Sequence, residues 1–146
     1  MSRKIVAVAA DHAGYEMKDL LKSDLVALGF EVLDLGTNGP DSVDYPDFGH
    51  AVGQAIDDDR ANLGMIICGS GIGISIAANR HAGVRAALCQ DSLTAKLSRQ
   101  HNNANVLALG ARIIGIETAR DAVAAFFTTE FEGGRHERRV KKIEIN

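Results

Sequence analysis

The sequence predicts an α/β fold, a three-layer α/β/α sandwich built on a five-stranded parallel, Rossmann-like sheet. Two observations carry this. Short, continuously apolar runs, as expected of strands buried on both faces, alternate along the chain with stretches whose apolar residues recur at helical spacing. Alternation of this kind is met by a parallel sheet with helices on both faces. A third observation concerns function. Polar residues able to do chemistry gather just after the apolar runs, at the carboxyl ends of the strands, where such sheets bind ligands.

The first strand is Ile5 to Ala10, stopped by Asp11-His12-Ala13-Gly14. Met17, Leu20, Leu21, Leu25 and Leu28 then mark a helix buried along one face, ended by Gly29. Glu31 to Leu35 reads as a short strand, and Gly36 to Asp41 as a loop rich in turn formers. After Tyr45-Pro46-Asp47, with proline tolerated at a helix start, Phe48, Ala51, Val52, Ala55 and Ile56 give a second helix. Leu63 to Cys68 is the third strand, and a glycine-rich turn leads from it into a third helix near Ile74 to Ala78. Val84 to Leu88 is a strand, Ser92 to Gln100 a helix, Asn105 to Leu109 a strand and Ile116 to Thr128 a helix anchored by Phe126 and Phe127. Gly133-Gly134 breaks the chain before a basic C-terminal helix over residues 135–146. No repeat, low-complexity tract or linker interrupts residues 1–146, which are expected to form a single domain.

Composition narrows the function classes. A chain of 146 residues is long enough for a real core, and 46% hydrophobic with 24% charged residues is ordinary for a soluble globular protein. The formal net charge of -3 argues against a general nucleic-acid binder. Two cysteines, in neither a Cys-x-x-Cys nor a metal-like spacing, suggest a reducing compartment and no disulfide framework. The N-terminal apolar run is too short for a signal peptide or a membrane span. A cytoplasmic location, with no membrane partner, is the expectation.

The most informative stretch is Cys68-Gly69-Ser70-Gly71-Ile72-Gly73. Glycines at alternate positions let the backbone turn sharply and expose its amides, and a helix start behind the turn suits an anion. The stretch lacks the Lys-Ser/Thr of a P-loop and is only part of a dinucleotide fingerprint, so a tight structural turn is an equally good reading of the glycines alone. Cys68 sits ahead of the helix start, where a thiolate is favoured, although cysteine also serves as a small buried apolar residue. Cys89 has no glycine turn behind it and reads as structural. Asp11 can cap the first helix, but His12 beside it is more than a cap needs. His101, near a helix end, suits a proton donor as well as it suits plain solvation. Arg135 and Arg139 lie one helical turn apart and can bind a phosphate together or form a solvated basic tail, and Arg112 adds a cation on the active edge.

Taken in order, Asp11-His12-Ala13-Gly14, Asp44-Tyr45-Pro46, Cys68 to Arg80, Ser98 to Asn102, Asn105 to Arg112 and Glu132 to His136 resemble the ribose-5-phosphate isomerase B family, grouped with the galactose-6-phosphate isomerase subunits. The resemblance spans essentially the whole chain. It implies an aldose–ketose isomerase acting on ribose 5-phosphate and ribulose 5-phosphate, in pentose phosphate metabolism, with no metal or organic cofactor. By resemblance Cys68 is the base that moves a proton between C1 and C2 through an enediolate. His101 opens the sugar ring, and Ser70 keeps a hydroxyl where other members have threonine. Asp11, His12 and Asn102 match sugar-binding positions, and Arg112, Arg135 and Arg139 match positions that hold phosphate and substrate. The amides from Gly69 through Ser70, Gly71 and Ile72 to Gly73 would face the developing oxyanion. Ile74 stands where another branch of the family carries a catalytic glutamate, which places the chain with the cysteine branch. The family's site is shared between two subunits, implying a homodimer, with pairing into a tetramer left open. Two other readings are an isomerase of a hexose 6-phosphate such as allose 6-phosphate, and a phosphate- or nucleotide-binding module without catalysis.

Overall fold

A computed structural model describes residues 4–145. Five strands, β1 (Ile5–Ala10), β2 (Glu31–Asp34), β3 (Leu63–Cys68), β4 (Ala86–Leu88) and β5 (Val106–Gly110), form one sheet in the order β2-β1-β3-β5-β4. Every pairing is parallel. Among the described residues six helices accompany them: α1 (Tyr15–Ala27), α2 (Tyr45–Asp57), α3 (Ile72–Ala78), α4 (Ser92–Asn102), α5 (Ile116–Thr128) and α6 (Arg135–Lys141). The predicted three-layer sandwich is the fold observed.

The two-residue period of a strand sends alternate side chains to opposite layers. Val6, Val8, Met65, Ile67, Leu107 and Leu109 face a core closed by Met17, Leu21 and Leu25 of α1, Ala95 of α4, and Phe126 and Phe127 of α5. Ala7, Ala9, Ile66, Val106 and Ala108 face a second core closed by Val52, Ala55 and Ile56 of α2 and Ile74 and Ala78 of α3. Cys68 belongs to this second face.

The course of the chain positions the site. From β1 it steps to β2 on one side, then returns across to β3 on the other, so the crevice between β1 and β3 is a topological switch point. Register puts Ala10 beside Ile67 and Cys68 beside Gly110. The segments leaving β1, β3 and β5 therefore emerge together: Asp11-His12, the glycine turn, and Ala111-Arg112.

Three sequence expectations are corrected. Leu20 and Leu28 are 50% and 40% exposed, whereas Lys18 is fully buried. Its ammonium donates to Asp34 Oδ1 at 2.7 Å and Asn38 Oδ1 at 3.1 Å, so α1 turns a lysine inward because the end of β2 offers a carboxylate. Burial by itself would raise the Asp34 carboxyl, but hydrogen bonds from Lys18, Lys22 and the Gly36 N–H outweigh it and hold the group below its usual range. The strand expected from Val84 starts at Ala86, because Val84 N–H closes a turn onto His81 O. The helix expected over residues 135–146 ends at Lys141, with Lys142 as its C-cap. Beyond it the β-branched Ile143 and Ile145 are 54% and 99% exposed, so no packed surface sustains further helix. Residue 146 lies outside the described residues.

Candidate active site

A cleft of about 630 Å³ opens at the switch point, lined among others by Asp11, His12, Cys68, Ser70, Gly73 and Arg112. Gly71 makes its floor possible. Its φ of 78° is left-handed, and a Cβ there would lie 2.8 Å from the Leu109 carbonyl carbon, so only glycine fits. Held this way, the Gly71 N–H points back at Cys68 Sγ, 3.1 Å away, and the Ile72 N–H donates to Ser70 Oγ at 3.1 Å. The turn thus aims one backbone donor at the thiol and another at the Ser70 hydroxyl. The expectation that all amides from Gly69 to Gly73 face an oxyanion is narrowed, since Gly71 and Ile72 are engaged within the turn.

The remaining walls are equally fixed. The Asp11 carboxylate, 6% exposed, accepts from the Ala13 and Gly14 N–H groups at 3.0 and 3.2 Å. It braces the turn before α1; the N-cap residue is Gly14, not Asp11. His12 Nδ1 accepts from the Val43 N–H at 3.2 Å, which leaves Nε2 as the protonated nitrogen of the neutral ring. Arg112 lies over Gly69, where an added Cβ would approach its guanidinium to 3.3 Å, and the Arg112 backbone N–H donates to Gly69 O at 2.9 Å. Tyr45 also lines the cleft and packs so closely on Gly73 that a side chain there would run into its ring. Sequence reading assigned Tyr45 no role. Its signal was the pairing of a large aromatic at the first position of a helix with an unusually bare glycine helix start, which only tertiary packing brings together.

The other half of the expected site lies elsewhere on the chain. His101, Asn102 and Arg139 line a separate cleft of about 350 Å³ together with His136, Val140 and Ile143. No residue is common to the two clefts. Arg135, one turn before Arg139 on α6, is exposed and lines neither. Within one chain, therefore, the predicted residues form a group around Cys68 and a group around His101.

His101, Glu132 and His136 offer ligand atoms within 4.8 Å of one another. The two imidazoles are stacked with planes only 14° apart. Ring lone pairs lie in the ring plane, so near-parallel rings do not converge on one ion as the rotamers stand.

Residues 6–143 match the family model described as Ribose/Galactose Isomerase. The chain belongs to this isomerase family. It is 44% identical to ribose-5-phosphate isomerase B of Escherichia coli over 140 residues, which cover 96% of this chain and 94% of that protein. A solved ribose-5-phosphate isomerase B from Clostridium thermocellum superposes with a TM-score of 0.93 at 48% identity, covering 95% and 94% of the two chains. Another, from Mycoplasma genitalium with bound ribulose-5-phosphate, gives 0.92 at 41% identity, with 98% of this chain and 95% of that one covered. The fold, the family and the enzyme class expected from sequence are borne out.

Proposed function

We propose that this chain interconverts ribose 5-phosphate and ribulose 5-phosphate, with Cys68 as the base. The observation that carries the reading is the Gly71 N–H aimed at Cys68 Sγ on the floor of the switch-point cleft. A thiolate needs a donor of this kind, and a thiol that merely fills space does not. In the open-chain aldose, Cys68 takes the C2 proton. The electron pair forms the C1–C2 double bond of an enediolate as the C1=O pair moves to O1. A proton passes from O2 to O1, and as C2=O forms the same sulfur returns its proton to C1 to give the ketose. Charge developing on O1 and O2 is met by the Ser70 hydroxyl and the amides the turn leaves free. His12 Nε2 and Arg112 supply donors and a positive charge at the rim for the phosphorylated sugar.

We propose further that the catalytic unit is at least a homodimer, in which the His101 cleft of one copy closes over the Cys68 cleft of another. Two half-sites with no common residue support this, as do the exposed apolar side chains Ile72 and Ile76 at the rim of the Cys68 cleft, 52% and 57% exposed. Arg135 and Arg139, of little use around their own chain's thiol, then reach the phosphate across the interface. Two free cysteines fit a cytoplasmic role in pentose phosphate metabolism. Among the described residues no helix is long and apolar enough to cross a membrane.

The testing experiment is turnover of ribose 5-phosphate with a chelator present, wild type beside Cys68→Ala. Activity that survives chelation and disappears with the thiol supports the reading. Turnover of a hexose 6-phosphate but no pentose would keep the chemistry and replace the substrate. A Cys68→Ala variant that works as well as wild type would leave only a binding module. The shared site has its own test, because mixing Cys68→Ala with His101→Asn subunits restores one intact site in each mixed dimer. After full exchange the mixture should show about a quarter of wild-type activity.

A further inference from the structure

His101 is one of a set of three. Its imidazole stacks on that of His136 with ring centroids 4.4 Å apart. His136 is 8% exposed, so the inner ring is held by the fold and the outer ring takes its plane from it. Glu132 Oε1 lies 3.4 Å from His136 Nε2 and 3.9 Å from His101 Nε2. The segment carrying Glu132 is tied to α4 twice over: Arg99 Nε donates to Thr129 O at 3.1 Å, and the Glu132 N–H donates to Gln100 O at 3.1 Å. The backbone at Glu132 is therefore anchored on α4. The half-exposed carboxylate lies at the Nε2 edge of both rings, closer to His136 than to His101. It does not line the cleft that His101, His136 and Arg139 line, so its charge stands behind the imidazole and not against a phosphate.

A carboxylate at one ring nitrogen favours a proton there and leaves the other nitrogen to trade protons with a substrate. We infer that Glu132 and His136 are positioning residues for His101 in opening the sugar ring. His136 sets the plane of the imidazole, and the Glu132 charge beside its Nε2 edge favours the proton on that nitrogen, so that Nδ1 serves the sugar. This rests on the isomerase reading above. In the step concerned the C1–O4 bond of the furanose breaks and its electron pair goes to O4, which takes the proton from the His101 imidazolium. The anomeric hydroxyl loses its proton to water as C1=O forms, and His101 is reprotonated from solvent.

The inference predicts a split between two assays. Ribose 5-phosphate is a ring and must be opened. Ribulose 5-phosphate has its C5 oxygen esterified, cannot close a furanose, and meets Cys68 already open. Exchange of its C1 hydrogen with solvent deuterium therefore bypasses ring opening. Glu132→Gln and His136→Ala should lose about 10- to 100-fold in ribose 5-phosphate turnover, while exchange stays within about twofold of wild type. His101→Asn should show the same split more strongly. Equal loss in both assays, which damage to the fold would cause, overturns the positioning role, as does wild-type turnover in both variants. Glu132 is half exposed, so Glu132→Gln keeps the test open if His136→Ala fails to fold. Absence of a split in His101→Asn itself would remove the ring-opening role on which the inference stands. A wild type inactive in both assays would instead sink the isomerase reading and this proposal with it.

Discussion

Cys68 and Cys89 occupy equivalent places in the chain and have opposite surroundings. Both follow or end a parallel strand, both are almost wholly buried at 4% and 1% exposure, and each precedes a helix start by a few residues. Ahead of α4 the helix start is capped by Asp91, whose carboxylate accepts from the Thr94 N–H at 2.7 Å. Ahead of α3 the N-cap is Gly71, with no side chain to offer, and its N–H turns to Cys68 Sγ instead. Cys89 is left with the Ala87 carbonyl at 3.7 Å, and its thiol is pushed up, first by burial and further by the Asp91 charge, against smaller opposing hydrogen bonds from Thr94 and Ser98. On the proposed reading, a strand-end cysteine takes its role from what the helix start is given to bind. Where a carboxylate takes that place, burial and its charge keep the Cys89 thiol protonated.

The largest test of this contrast is a pair of substitutions. Cys68→Ala should lower kcat by about 10³-fold or more, the usual contribution of a positioned base, whereas Cys89→Ala should leave kcat within about twofold. Comparable losses in both variants would mean that strand-end position matters and the local donor does not. Iodoacetamide gives the same answer without mutation. Intact-protein mass spectrometry should find one adduct on the folded chain, at Cys68 in its open cleft, and a second only after unfolding. Early modification of Cys89 would break the contrast.

Next in size is Gly71→Ala. A methyl group would meet Leu88 Cδ1 at 2.6 Å as well as the Leu109 backbone, on a residue whose φ already disfavours a side chain. The turn must shift, costing about 1–3 kcal/mol in thermal unfolding and displacing the N–H from Cys68. Turnover should fall by about 100-fold even where the variant stays folded, as expected when a reacting group moves by about an ångström. A variant that loses stability but keeps kcat would show the N–H to be incidental to the thiol.

Apolar runs and helical spacings made nearly all of the sheet and its helices legible, because burial in a parallel sheet is a local property of the sequence. The residues that escaped depend on contacts between distant segments. Lys18 reads as a surface lysine until Asp34, sixteen residues on, comes within 2.7 Å. Tyr45 reads as a helix start until Gly73 leaves room for its ring. The stack of His136 on His101 needs the segment after α5 folded back on α4. Cys68, Gly71 and Ser70 were legible for the opposite reason, since the turn that organises them lies within four residues.

Asp91→Ala tests the other half of the comparison. Loss of the cap should lower the midpoint of chemical denaturation, with kcat unchanged. Removal of its negative charge should also make Cys89 easier to ionise, though burial, the larger cause, remains. A drop in activity would couple α4 to the Cys68 turn more tightly than the structure supports.

The smallest expected effect is the pH dependence that Cys89 gives the fold. Its thiol is raised in the native state, so the unfolded chain ionises first as pH rises. The stability from keeping it protonated is complete below about pH 9, the ordinary range for a thiol, and declines above it until the native thiol ionises too. Within that window the slope is at most about 1.4 kcal/mol per pH unit. Cys89→Ala should therefore flatten the alkaline decline expected in urea unfolding above about pH 9, leaving what other groups contribute. Tyr15, also raised, by desolvation first and then by Glu16, is one of those. An unchanged decline in Cys89→Ala would place the alkaline sensitivity elsewhere and leave Cys89 as packing alone.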